Sequence, residues 1–159
     1  MAAAIEAGAH APEFCLPATD GGIVRFTRGA GEHTFIVFWK STCPNSRSLV
    51  PKLADIFRAH PNAPARVIGV AVGTDTCETA TAFQQATGFT FPTGVDEQSE
   101  VRSSYQLKRV PSVILVDPAG FVLRKYIGNR DEFAPAIDTA LDAIEKGISI
   151  PSYDLEGAG

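Results

Sequence analysis

A chain of 159 residues can bury roughly 70% of the surface its unfolded form exposes, so one core needs no metal or disulfide staple. The formal net charge of -4 works against nucleic acid or an anionic membrane as the main partner, because both select a basic face that displaces counterions. Three cysteines, Cys15, Cys43 and Cys77, are too few and too scattered for a disulfide scaffold, and no two stand at metal-ligand spacing.

The first residues, "MAAAIEAGAHAPEF", carry neither a basic start nor a long apolar segment. No signal peptide or membrane anchor is read there, and a cytoplasmic protein is expected, the alternative being an exported one whose leader is gone. "APEFCLPATDGGIVRFTRG" predicts two short strands around the Asp20-Gly21-Gly22 turn, an N-terminal β-hairpin whose second strand is Ile23 to Phe26. Cys15 falls in the apolar first strand and is expected to be structural. Phe35 to Trp39 is a continuous apolar run, the pattern of a strand covered on both faces of a sheet.

After Pro44, the residues Leu49, Leu53, Ile56 and Phe57 recur at helical spacing and predict a helix from about Pro44 to His60, kinked by Pro51. "ARVIGVAVG" reads as a second buried strand. Thr74 and Asp75 precede a helix from about Glu78 to Thr87, and a short helical turn is expected around Ser99 to Tyr105. "SVILVD" and "FVLRKYI", joined through Pro118-Ala119-Gly120, form a hairpin. A last helix from about Asp131 to Lys146 carries Phe133, Ile137, Leu141 and Ile144 on one face. The order describes a single α/β domain with a mixed central sheet and flanking helices, its core at about 11–146 and a loose tail at 147–159.

The stretch "FWKSTCPNSR" concentrates the chemistry. A strand that ends just before Cys43 and Pro44 places the sulfur at the amino end of a helix, where unpaired N–H groups and the positive end of the helix dipole favour an anion. Thiols in such positions have pKa values lowered to roughly 3.5–7.5, and the thiolate is the form that attacks disulfides. Pro44 suits the first helical turn because the N–H it lacks would have no partner there. Lys40 and Arg47 stand close enough in sequence to add positive potential. His10, His33 and His60 have no ligand partners at useful spacing, and no phosphate loop or nucleophile elbow is present. No cofactor and no metal are expected.

"FIVFWKSTCPNSRSLVPKLADIF" resembles the active-site strand and helix of the thioredoxin superfamily, including a Trp-x-x-x-Cys opening and a helix proline, Pro51, eight positions after the cysteine. "YQLKRVPSVILVDPAGFVLRKYIG" is similar to that superfamily's later segment, with a tyrosine, a Val-Pro dipeptide, a hairpin and a closing glycine, Gly128. The N-terminal "APEFCLPATDGG" and the insert with "VAVGTD" and "TAFQQATGFTFP" resemble its TlpA-like and AhpC/TSA-related branch. The resemblance covers about Ala11 to Lys146. It implies a thioredoxin-like fold, Cys43 as the attacking cysteine, and Pro111 as a cis-proline beside it. It further implies that the Val110 backbone pairs with a bound peptide or thiol, with Trp39, Pro44, Asn45 and Arg109 around the substrate.

The departure from that pattern is Ser46, which occupies the resolving-cysteine position. A hydroxyl cannot close a disulfide, and three explanations stand open. An outside thiol such as glutathione resolves the mixed disulfide; Cys77 resolves it; or Ser46 was introduced in place of a cysteine to trap an intermediate. The leading function is thiol-disulfide exchange on a protein or low-molecular-weight substrate. A peroxiredoxin-like thiol peroxidase is a second reading, weakened because such relatives carry a threonine three positions and a proline seven positions before the cysteine, where this chain has Lys40 and Ile36. The third is a non-catalytic peptide-binding module using the Val110-Pro111 edge, with Lys108 and Arg109 contacting an acidic peptide or the glutathione carboxylates.

Overall fold

A computed structural model describes residues 4–151. The chain begins with a hairpin of β1 (Phe14–Pro17) and β2 (Ile23–Phe26). It continues through β3 (His33–Trp39), α1 (Pro44–Arg58), β4 (Ala65–Ala71), α2 (Cys77–Thr87) and β5 (Thr93–Val95). α3 (Glu100–Ser104), β6 (Ser112–Val116), β7 (Val122–Ile127) and α4 (Phe133–Lys146) complete it. The five-stranded sheet has the order β5-β4-β3-β6-β7. β3, β4 and β5 run parallel, β6 runs antiparallel to β3, and β7 antiparallel to β6.

The apolar run of β3 explains why that strand is central. Phe35, Val37 and Trp39 point to one face, against Leu49, Val50 and Leu53 of α1, Phe83 of α2 and the apolar side of α4. Ile36 and Phe38 point to the other, against Phe14, Val24 and Phe26 of the hairpin, Val101 of α3, and Tyr105. A strand with alternate side chains in two cores has no polar position to spare, so alternation disappears from its sequence. The thioredoxin-like arrangement with an N-terminal hairpin is the fold that the sequence predicted.

α1 runs through Pro51 to Arg58 as expected, although Pro51 has no N–H to bond the carbonyl one turn earlier. Other details differ from expectation. α2 starts at Cys77 because Thr76 caps it: the Thr76 hydroxyl accepts the Thr79 N–H and the Thr79 hydroxyl accepts the Thr76 N–H. β5 has three residues, too short for a periodicity to reveal. The hairpin docks on that edge through the Ala18–Gly94 bridge. The approach needs glycine at Gly94, since a Cβ there would stand 2.8 Å from Leu16 Cβ.

Cys15 is corrected from a structural to an exposed residue. It alternates with buried Phe14 on the outward side of β1, 3.8 Å from an Arg25 guanidinium nitrogen. Of the tail expected to be loose, Ile150 packs against the core and its carbonyl accepts from Arg124 at 3.2 Å; 152–159 lie outside the described residues. No helix among the described residues is long and apolar enough to cross a membrane.

α1 and α4 are joined at their ends by His60, whose Nε2 lies 2.7 Å from Asp138 Oδ1 and whose Nδ1 lies 3.2 Å from Glu145 Oε1. The hydrogen bond to Asp138, followed by that to Glu145 and by both charges, holds His60 above the usual imidazole range against the opposing effect of burial. Only the imidazolium can donate to both carboxylates. A raised folded-state pKa stabilises the protein fully below about pH 6.5, the unfolded value, and the contribution is lost as pH rises through the folded value. The urea midpoint of His60→Gln should therefore fall further below wild type at about pH 5.5 than at about pH 9. An equal deficit at both values would rule out the linkage. In the core below, Leu53→Ala should cost about 2–5 kcal/mol by denaturant titration, since Leu53 is wholly buried.

Candidate active site

Beyond Trp39 the chain turns at once: the Cys43 N–H donates to the Lys40 carbonyl at 3.0 Å, and α1 begins at Pro44. Cys43 is the cap residue of α1, in extended backbone with φ -87° and ψ 119°, and its side chain makes no capping bond. The sulfur is left over the first helical turn, where N–H groups without intrahelical acceptors converge. Burial pushes its thiol up. The Ser46 N–H and hydroxyl, the Asn45 N–H and the Lys40 charge favour the thiolate and outweigh burial, so the thiol lies below its ordinary value.

Ser46 is itself fully buried. Its oxygen accepts the Lys40 N–H at 3.1 Å, which leaves the hydroxyl proton available to the sulfur. Where a dithiol motif has its second sulfur, this chain has a donor that stabilises the first.

The opposite wall is the loop entering β6. Phe38 pairs with Ser112 across β3 and β6, which brings Val110 and Pro111 alongside the end of β3. The Val110–Pro111 peptide bond is cis, and the Val110 carbonyl lies 3.7 Å from Cys43 Sγ, in reach of the thiol proton. Arg109 is exposed, and its side chain lies against Gly128: a Cβ there would be 3.4 Å from Arg109 Cδ. On a third side, Asn129 Nδ2 donates to Asn45 Oδ1 at 3.5 Å, joining the turn after β7 to the exposed Pro44 and Asn45.

Two of the expected residues lie elsewhere. Trp39 is wholly buried, its ring 4.8 Å from Phe83 and 5.8 Å from Phe89. It supports the turn from beneath and offers no surface to a substrate. Cys77 is exposed, but its sulfur faces the Ala18 carbonyl at 3.7 Å, on the hairpin that docks at β5. The Cys43 sulfur faces the loop entering β6. The Cys77 sulfur thus has its contact on the hairpin and the Cys43 sulfur on the loop entering β6, and all three cysteines are free.

Asp75 was expected only to precede a helix, and it does more. Buried in the β4–α2 loop, its carboxylate accepts the Ser41 N–H at 2.7 Å, the Ser41 hydroxyl, and the Thr79 hydroxyl at 2.7 Å. It ties the start of α2 to the loop that presents Cys43. A single acidic residue before a helix gives no sequence signal for that contact. Arg47 turns toward α2, donating to the Ser41 carbonyl at 3.0 Å and standing 5.6 Å over the Phe83 ring. No group of His, Cys, Asp and Glu able to hold a metal occurs among the described residues.

A thiol at a helix cap, facing a cis-proline loop on the neighbouring antiparallel strand, defines a thioredoxin-like protein. The AhpC/TSA family model matches residues 7–125, and the chain belongs to the AhpC/TSA family. It is similar to the thiol-disulfide oxidoreductase ResA of Bacillus subtilis, 25% identical over 128 residues that cover 80% of this chain and 71% of ResA. The thioredoxin domain of a thiol-disulfide oxidoreductase from Bacteroides vulgatus superposes with a TM-score of 0.72 at 20% identity, over 84% of this chain and 96% of that one. StoA from Bacillus subtilis superposes with a TM-score of 0.68 at 22% identity, over 82% and 96% respectively.

Replacing Ser46 by alanine should raise the pH midpoint of Cys43 alkylation, because the hydroxyl contact to the thiolate is lost while the backbone N–H contacts and burial remain. Leaving the part-buried Lys40 N–H without its Ser46 acceptor should also cost about 1 kcal/mol of stability. A midpoint that stays put or falls would remove Ser46 from the account of this thiol.

Proposed function

We propose that this protein is a thiol-disulfide oxidoreductase that works through Cys43 alone and passes through a mixed disulfide. The observation that carries the reading is the Cys43 sulfur itself, drawn toward the thiolate at the cap of α1 and set 3.7 Å from the Val110 carbonyl. The likeness to ResA, named a thiol-disulfide oxidoreductase, supports the same chemistry.

In the first step the Cys43 thiolate attacks one sulfur of a disulfide R–S–S–R′. That bond breaks, R′ leaves as a thiolate with the electron pair, and Cys43 is joined to R. In the second, the thiolate of an outside thiol attacks the sulfur of R, a new disulfide leaves, and Cys43 returns as a thiolate. One disulfide is consumed and one is formed, so no further oxidant or reductant is needed. The substrate is a protein or low-molecular-weight disulfide, and the resolving thiol is of the glutathione kind or belongs to a partner protein. An outside thiol fits the orientation of Cys77 toward the hairpin.

Peroxide reduction has less support. The position three before Cys43 holds Lys40, whose methylenes run along Gly73, and the position seven before it holds wholly buried Ile36. A peptide-binding module without chemistry would have no use for a lowered thiol.

Intact-mass analysis after exposure to oxidised glutathione tests the reading. The first adduct should be a single glutathione, lost in Cys43→Ser and kept in Cys77→Ser, while Ser46→Cys should instead lose two hydrogens. An adduct indifferent to Cys43→Ser, or an internal disulfide that depends on Cys77, would overturn it.

A further inference from the structure

The charges around Cys43 are distributed unlike those of the rest of the chain. The protein has 14 basic and 18 acidic residues. Between Lys40 and Lys52, and again between Arg102 and Ser112, the chain carries Lys40, Arg47, Lys52, Arg102, Lys108 and Arg109 and no acidic residue. These two segments hold Cys43 and the loop that faces it. Among the described residues, Lys40, Arg47, Lys108 and Arg109 form none of the ion pairs, which fall instead on Arg58, His60, Arg130 and Lys146. The buried carboxylate nearest the loop, Asp75, is already committed to Ser41 and Thr79.

The free cations stand on both sides of the sulfur. Arg47 is anchored at the Ser41 carbonyl, just past the end of β3, and Arg109 lies against Gly128, just past the end of β7. β3 and β7 run in the same direction two strand positions apart, so these anchor points are about 10 Å apart. Arg47 also lines a groove of about 620 Å³ between the Ser41–Thr42 loop and α2. The wall along α2 is formed by Thr79, Ala82, Phe83 and Ala86, positions one helical turn apart on one face, and three of those four side chains are small. The groove adjoins the Ser41–Thr42 loop that precedes Cys43 and has room for chain beyond the reacting disulfide.

We propose that the disulfide received by Cys43 is carried on an acidic segment of a partner protein, whose carboxylates meet Arg47 on the α2 side and Arg109 on the Pro111 side. The inference rests on the exchange reading above and names its substrate class. A chain of negative net charge repels an acidic partner except at such a patch, so the same charges set the orientation of approach.

The test uses the full chain and three synthetic peptides, each with one cysteine as its mixed disulfide with a small neutral thiol, flanked by glutamates, serines or lysines. Formation of the Cys43–peptide disulfide is followed by mass. At low ionic strength the acidic peptide should react at least about tenfold faster than the basic one, the advantage shrinking as salt is added. Arg47→Gln and Arg109→Gln should each lower the acidic-to-serine rate ratio, and Arg109→Glu should move the preference toward the basic peptide. Equal rates for the three peptides, or a ratio that the arginine variants leave unmoved, would overturn this inference and leave the exchange reading intact. Oxidised glutathione reacting as fast as the acidic peptide, and slowed equally by the variants, would also overturn it in favour of a small anionic disulfide. No Cys43 adduct with any peptide would overturn the exchange reading and this inference together.

Discussion

The antiparallel pairing of β3 with β6 is the constraint on which the site depends. Cys43 lies past the end of β3, and Pro111 lies just before β6, nearly seventy residues later. The register that sets Phe38 opposite Ser112 brings the Val110 carbonyl to the sulfur. A slip of one residue would turn the side chains of β6 to the wrong faces, and both cores bury side chains from that strand. The packing of the sheet thus maintains the distance between thiol and loop.

Within that frame, Ser46 acts on the sulfur from the first turn of α1. Its hydroxyl takes the Lys40 N–H and stabilises the thiolate, so it does electrostatic service in the place where a second sulfur would do redox service. Under the proposed single-cysteine reading, the mixed disulfide at Cys43 lasts until an outside thiol arrives. Asp75 supports the same loop from the other side, linking it to α2. The presentation of Cys43 consequently depends on β3, β4, α2 and β6 together.

Much of the fold was legible because its signals are local. Phe35 to Trp39 reads as a buried strand, and the spacing of Leu49 and Leu53 reads as a helix, since each pattern is completed within a few residues. β5 was not legible, because three residues cannot show a period and its pairing with β4 is decided by the neighbour. Trp39 packs beneath the active-site turn, as the resemblance implied, but Phe83 and Phe89 seal it from a substrate, and no local pattern reveals the placement of their segment. Cys15 was misjudged because alternation on a four-residue strand leaves the inward face ambiguous until the hairpin docks.

The amino-acid order alone determined that a thiol would sit where a strand gives way to a helix beginning with proline, and that the position three residues later would hold a hydroxyl. Those are matters of neighbouring residues and helix geometry. Only the tertiary structure decided that Val110 meets Cys43, that Cys77 turns toward the hairpin, that Asp75 grips Ser41, and that Arg47 and Arg109 stand apart on either side of the sulfur. Each depends on strand order and on side-chain direction across elements distant in sequence, which packing sets and local pattern does not encode.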